Sequence, residues 1–182
     1  MSGASFPLHP GGSEATGHLL RLAMPHCAGC ASRRALDMGA GDGAAVRLLK
    51  AFGWEAEGID KKGGAGILSG DLLRTPYPDG SFGLVLSECS FFVTGDFGGA
   101  LREARRVLEP GGILAIGDVC FCDAAEWKGT LKSLSFHLLE WEDLTELWRE
   151  YYLEAVWNGT ADAFCPAPKK KCRYFLAVAA KK

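Results

Sequence analysis

Leu36-Asp37-Met38-Gly39-Ala40-Gly41-Asp42-Gly43 passes from an apolar run through alternating glycines. Residues 35–38 form a short apolar run that reads as a strand; alternate glycines follow, and a helical pattern opens near Gly43 and runs to Phe52. Strand, glycine turn and helix make the first half of a βαβ unit. The glycines permit a sharp turn and let a ligand approach the backbone N–H groups at a helix N-terminus.

Working outward, further strands are expected at 54–59, 66–68, 83–87 and 113–117. A helix is expected at 97–108, with Leu101, Ala104, Val107 and Leu108 inward, and Glu109-Pro110-Gly111-Gly112 is a stop-and-turn. Upstream, a helix begins near Ser13 and stops by Pro25, leaving 1–12 as a flexible tail and 13–182 as a single domain. Downstream, the pattern predicts a strand at 136–141, a helix at 143–156 and a strand at 173–179. The interval 122–135 leaves room only for a brief or missing helix. The fold class is α/β: a Rossmann-like three-layer sandwich with a mostly parallel seven-stranded sheet.

The composition fits this reading. The 182 residues, 48% apolar and 23% charged, suit one globular domain and contain no apolar run long enough to span a membrane. Twenty basic against 22 acidic residues give no electrostatic pull toward nucleic acid or anionic lipid. Seven cysteines is an odd count, and residues 1–17 lack both a basic start and an apolar stretch, which points to the cytoplasm and reduced thiols.

Three acids stand at three successive strand ends. Gly39, Gly41 and Ala44 satisfy the dinucleotide spacing, and Asp60 follows about twenty residues on, where a ribose hydroxyl would be held. Asp37, two residues before the first glycine, would repel a pyrophosphate; it suits a cation such as the ammonium of S-adenosylmethionine. Asp71, in Ser69-Gly70-Asp71-Leu72, is placed to accept from an adenine amino group. Any one of these acids alone reads equally as a cap or turn residue.

Two further stretches sharpen the reading. Residues 71–82, Asp71-Leu72-Leu73-Arg74-Thr75-Pro76-Tyr77-Pro78-Asp79-Gly80-Ser81-Phe82, and residues 102–112, Arg102-Glu103-Ala104-Arg105-Arg106-Val107-Leu108-Glu109-Pro110-Gly111-Gly112, stand in register with the glycine turn. Together they resemble the class I S-adenosylmethionine-dependent methyltransferases, type 11-like, over about 35–119. The resemblance implies S-adenosylmethionine as cofactor, with Gly39, Ala40 and Gly41 at its amino-acid moiety and Asp60 with Lys61 at the ribose. It places Asp71 and Leu72 at the adenine and Ser87 on the floor. The chain departs from the family in having Gly83 where an acid is usual, and in the short Lys61-Lys62-Gly63-Gly64 stretch where a helix is usual.

Methyl transfer is an in-line displacement, so the protein supplies alignment, a dry cleft and, for oxygen or nitrogen acceptors, a base. The fourth and fifth strands run into cysteines, Cys89 and then Cys120 and Cys122, and neither end carries a histidine; His9, His18 and His26 precede the cofactor domain. Cys89 with Asp118-Val119 is similar to the arsenite methyltransferases, which implies a thiolate role for Cys89, with Cys165 or Cys172 as later partners. The plain reading of Cys89 is a small buried residue beside the cofactor. Cys27-x-x-Cys30 could share a zinc ion with Cys120 and Cys122, although a structural role ranks ahead. The expected function is methyl transfer to a small-molecule acceptor, a thiol or a metalloid such as arsenite among the candidates, with no nucleic-acid or membrane partner. The alternatives are a non-catalytic S-adenosylmethionine-binding partner or sensor and, behind it, an NAD(P)-dependent oxidoreductase.

Overall fold

The computed structural model describes residues 9–64, 66–159 and 172–182. Helix α1 (Gly12–Ala23) leads through a 3₁₀ turn (Met24–Gly29) into β1 (Arg34–Met38), α2 (Ala44–Ala51) and β2 (Glu55–Asp60). Then come β3 (Leu68–Ser69), β4 (Phe82–Glu88), a 3₁₀ turn (Phe92–Thr94), α3 (Phe97–Val107) and β5 (Leu108–Cys120). The chain closes with α4 (Ala124–Ser133), β6 (Phe136–Asp143), α5 (Thr145–Trp157) and β7 (Arg173–Lys181).

The seven strands form one sheet in the order β3-β2-β1-β4-β5-β7-β6. Every residue of β4 is buried, as expected of a strand paired in parallel on both sides and covered on both faces. One face packs Leu84, Leu86 and Ile113 against Leu19, Leu20 and Ala23 of α1 and Leu49 of α2. The other sets Val85, Leu114 and Ile116 against Leu101 and Ala104 of α3 and Trp127 of α4. Successive strands move outward to one side through β3 and then restart beyond β1 at β4. The crevice at the exit ends of β1 and β4 is therefore the topological switch point, where such sheets bind ligands.

The sheet is mixed. Strand β7 runs antiparallel to both β5 and β6 because it enters from the far edge and inserts between them. The interval expected to hold little helix forms the ten-residue α4, capped by Asp123, whose carboxylate accepts the Glu126 N–H at 2.9 Å, and anchored by buried Trp127 and Leu131. Between β2 and β3 there is no helix among the described residues. Gly64 and Ile67 exchange backbone hydrogen bonds of 2.9 and 2.8 Å, turning the chain directly into β3.

The first residues do not all behave as a tail. Pro10 is buried, and α1 begins at Gly12, one residue before the expected start. Gly83 also has a packing reason. A Cβ there would stand 2.2 Å from the Ser32 carbonyl oxygen, so the segment entering β1 lies too close for any side chain. Among the described residues no helix is long and apolar enough to cross a membrane.

Candidate active site

A cavity of about 490 Å³ opens at the switch point, lined by Gly39, Asp60, Lys61, Ser69 to Leu73, Ser90, Val93 and Thr94. That volume suits a small-molecule cofactor. The turn after β1 meets the cavity at Gly39. Gly39 has φ +96° and donates its N–H to the Ile59 carbonyl at 2.8 Å; Ala40 donates to the same oxygen at 3.1 Å. The Asp60 carboxylate accepts from Gly41 N–H and Lys62 N–H, both at 3.1 Å, which ties the end of β2 to the glycine turn. Asp71 accepts the Leu73 N–H at 2.8 Å and so shapes its own turn. Both residues line the cavity.

Asp37 is different. It is 3% exposed, and its Oδ2 has no hydrogen-bond partner. Burial pushes its carboxyl well above the usual range, and the neighbouring Glu88, Asp60 and Asp42 push it further. A buried carboxylate with an orphan oxygen is costly unless a cation or donor arrives.

A network joins the two downstream motifs. Glu103 of α3 accepts from the Thr75 N–H and hydroxyl, each at 2.7 Å. Arg106 donates to Glu103 at 2.6 and 2.9 Å, to Asp79 at 2.7 Å and to the Tyr77 carbonyl at 2.8 Å. Burial alone would raise the Glu103 carboxyl, but the bonds from Arg106 and Thr75 hold it below the usual value. Residues 75–79, which continue from the cavity-lining turn at 71–73, are thus pinned.

Ser87 is fully buried and donates to the Met38 carbonyl at 2.9 Å; it pins β4 to β1 and is absent from the cavity lining. Asp118, also fully buried, accepts the Phe91 and Phe92 N–H groups at 2.9 and 3.1 Å and the Val119 N–H at 2.7 Å. Burial pushes its carboxyl up to about 7 against those bonds. Asp118 is the staple that holds the turn after β4.

Cys89 lies in that turn, half-buried, with the left-handed φ of +50°, and its N–H donates to Gly117 at 2.8 Å. Burial raises its thiol well above the ordinary value, and the fields of Asp118 and Glu88 add to this. Such surroundings disfavour the thiolate. The field of Cys172 adds slightly to the rise of both Cys89 and Cys120; Cys165 lies outside the described residues. Among the described residues no three His, Cys, Asp or Glu come together to hold a metal ion.

The shared zinc site of the two cysteine pairs is overturned by topology. The Cys30 thiol donates to Gly83 O at 3.3 Å, at the entry end of β4, whereas Cys120 closes β5 at the opposite, exit edge. Burial raises Cys27 to about 12 and Cys120 to about 12.

Sequence reasoning missed Ser90, Val93, Thr94 and Glu88. Glu88, the last residue of β4, is 9% exposed, and His9 Nε2 stands 3.8 Å from its Oε2. A histidine thus does reach the end of the fourth strand, carried there by the segment before α1. No local spacing signals that contact.

The sequence profile of the family described as a methyltransferase domain matches residues 36–116. Among solved structures, phosphoethanolamine N-methyltransferase 2 from Haemonchus contortus, with S-adenosylmethionine bound, shares 17% identity at a TM-score of 0.74. The match covers 98% of this chain and 54% of that one. Geranyl diphosphate C-methyltransferase from Streptomyces coelicolor shares 17% identity at a TM-score of 0.70, over 93% and 79%. The [4+2]-cyclase SpnF shares 21% identity at a TM-score of 0.68, over 92% and 80%. At these identities the structures establish the fold, and the cyclase shows that the fold also hosts other chemistry. Residues 36–116 match the methyltransferase-domain family, and the chain shares its fold with solved S-adenosylmethionine-dependent methyltransferases.

The residues fit that cofactor. Asp37 offers an orphan buried oxygen to an ammonium, and Gly39, Asp60 and Asp71 line the cavity.

Proposed function

We propose that this chain transfers the methyl group of S-adenosylmethionine to a small-molecule acceptor held at the exit ends of β4 and β5, with 13–182 acting as one domain. The observation that carries the reading is Asp37 Oδ2, buried without a partner two residues before Gly39, which lines the cavity. Asp37 would hold the cofactor's ammonium, Gly39 to Gly41 its amino-acid end, Asp60 and Lys61 the ribose, and Asp71 and Leu72 the adenine. Bound there, the cofactor supplies an electrophilic methyl group. The protein aligns the acceptor, excludes water and takes up the acceptor's proton.

Thermal shift with S-adenosylmethionine, its demethylated product and NADH tests the reading. The first two should raise the melting temperature and NADH should not; no shift with either sulfur compound contradicts the proposal. Tight binding without labelled methyl transfer to any of a panel of amines, thiols and arsenite would favour the non-catalytic sensor.

A thiol or metalloid acceptor is the second reading, favoured by the places of Cys89 and Cys120 at the exit ends of β4 and β5. Burial of those thiols weighs against it. Methylated arsenic that disappears in Cys89→Ser would support it, and no product from the wild type would remove it.

A further inference from the structure

Glu88 Oε1 is a second buried carboxylate oxygen without a partner. Residue Asp37 of β1 pairs with Leu86 of β4, and strand alternation puts Glu88 next outward on the same face of the sheet. Two carboxyl groups, each with one unsatisfied oxygen, therefore follow one another toward the exit edge. One ammonium at the glycine turn satisfies Asp37; Glu88 still needs a donor.

The surroundings define what kind of donor. Asp37, with Asp60 and Asp42 behind it, Asp118, Cys89 and Tyr174 act on or near this point, and among the described residues His9 is the basic group that acts on Glu88. The His9 imidazole is 3.8 Å from Oε2 and 3.4 Å from the Thr16 hydroxyl, which in turn donates to the Gly12 carbonyl at 3.3 Å. An anionic acceptor would meet several carboxylates and one imidazole, while an ammonium gains a charge-assisted hydrogen bond to Oε1.

We propose that Glu88, seated against His9, is the recognition group for the methyl acceptor, and that the acceptor is an amine that arrives as its ammonium ion. This rests on the methyltransferase reading. Glu88 accepts one N–H proton and passes it toward His9; the freed lone pair forms the N–C bond as the C–S bond breaks. The sulfur keeps the electron pair of that bond, and the methylated nitrogen carries the positive charge. Burial, which pushes the Glu88 carboxyl up against the pull of His9 and Thr16, makes it a stronger base than a solvated carboxylate.

Calorimetry with n-butylammonium, and with butyrate as its opposite-charge control, tests the proposal on protein saturated with S-adenosylhomocysteine. The wild type should bind the amine and not the acid. Glu88→Gln should weaken amine binding at least tenfold while leaving S-adenosylhomocysteine affinity within twofold. Glu88→Asp keeps the charge and should retain preference for the amine, which guards against a Gln variant that fails to fold. Unchanged amine affinity in Glu88→Gln, equal binding of butyrate, or no amine binding by the wild type would overturn the proposal. If the wild type fails to bind S-adenosylhomocysteine, the cofactor reading has failed, and the same titration on the free protein still reads Glu88.

Discussion

Gly39 and Ser90 approach so closely that a Cβ on Gly39 would lie 1.9 Å from the Ser90 hydroxyl oxygen and 2.2 Å from its Cβ. Gly39 also holds φ +96°, which side-chain-bearing residues rarely adopt. Gly39→Ala should therefore cost about 2 kcal/mol or more in urea unfolding. It should also weaken cofactor binding, since both residues line the cavity. Gly64→Ala, at φ +113° with nothing within 4 Å, carries the backbone strain without the clash. The excess cost of Gly39→Ala over Gly64→Ala reads the Ser90 contact, and Ser90→Gly should recover it in the double variant.

Arg106 is the common donor to Glu103, Asp79, Tyr77 and Thr75. Removing it in Arg106→Ala leaves Glu103 buried without its cation, at a cost of about 3 kcal/mol by chemical denaturation. Because residues 75–79 are then unpinned, cofactor affinity should fall in the same variant. Arg102→Ala, whose partner Asp96 is exposed, should change stability by under about 0.5 kcal/mol.

The free protein should lose stability as pH rises. Asp37, Glu88 and Asp118 all have folded-state values raised by burial, Asp118 to about 7. Raised carboxyls favour the fold when protonated, so their contribution is complete below the ordinary carboxylate range and fades as pH climbs through the folded values. The lowered carboxyls, Glu103 and Asp143, work the other way, but their effect is confined to acid below the usual range. The melting temperature should be lower at about pH 8 than at about pH 5.5. A flat or rising profile would show that these groups are not buried as described.

Local chemistry explains which parts of this architecture are legible in the sequence. The glycine turn, Asp37, Asp60 and Asp71 sit where strands end, and a strand end is marked by residues adjacent in the chain. The network of Glu103 and Arg106 against residues 75–79 follows two motifs already in register. The pairing of His9 with Glu88 spans 79 positions and depends on how α1 docks across the sheet, which no local pattern encodes. Helix α4 is hidden for a different reason: Trp127 and Leu131 are its only buried residues, so its apolar stripe is thin. The two cysteine pairs look combinable in one dimension, and the sheet places them at opposite edges.

Asp37→Asn separates the cofactor role of the buried carboxylate from its effect on stability, because the two change with opposite sign. The substitution removes a buried charge with an unsatisfied oxygen. The free variant should melt at the same temperature as the wild type or higher at about pH 8, and S-adenosylmethionine should bind at least tenfold more weakly by calorimetry. Unchanged cofactor affinity in a folded Asp37→Asn variant would show that Asp37 does not hold the cofactor's ammonium.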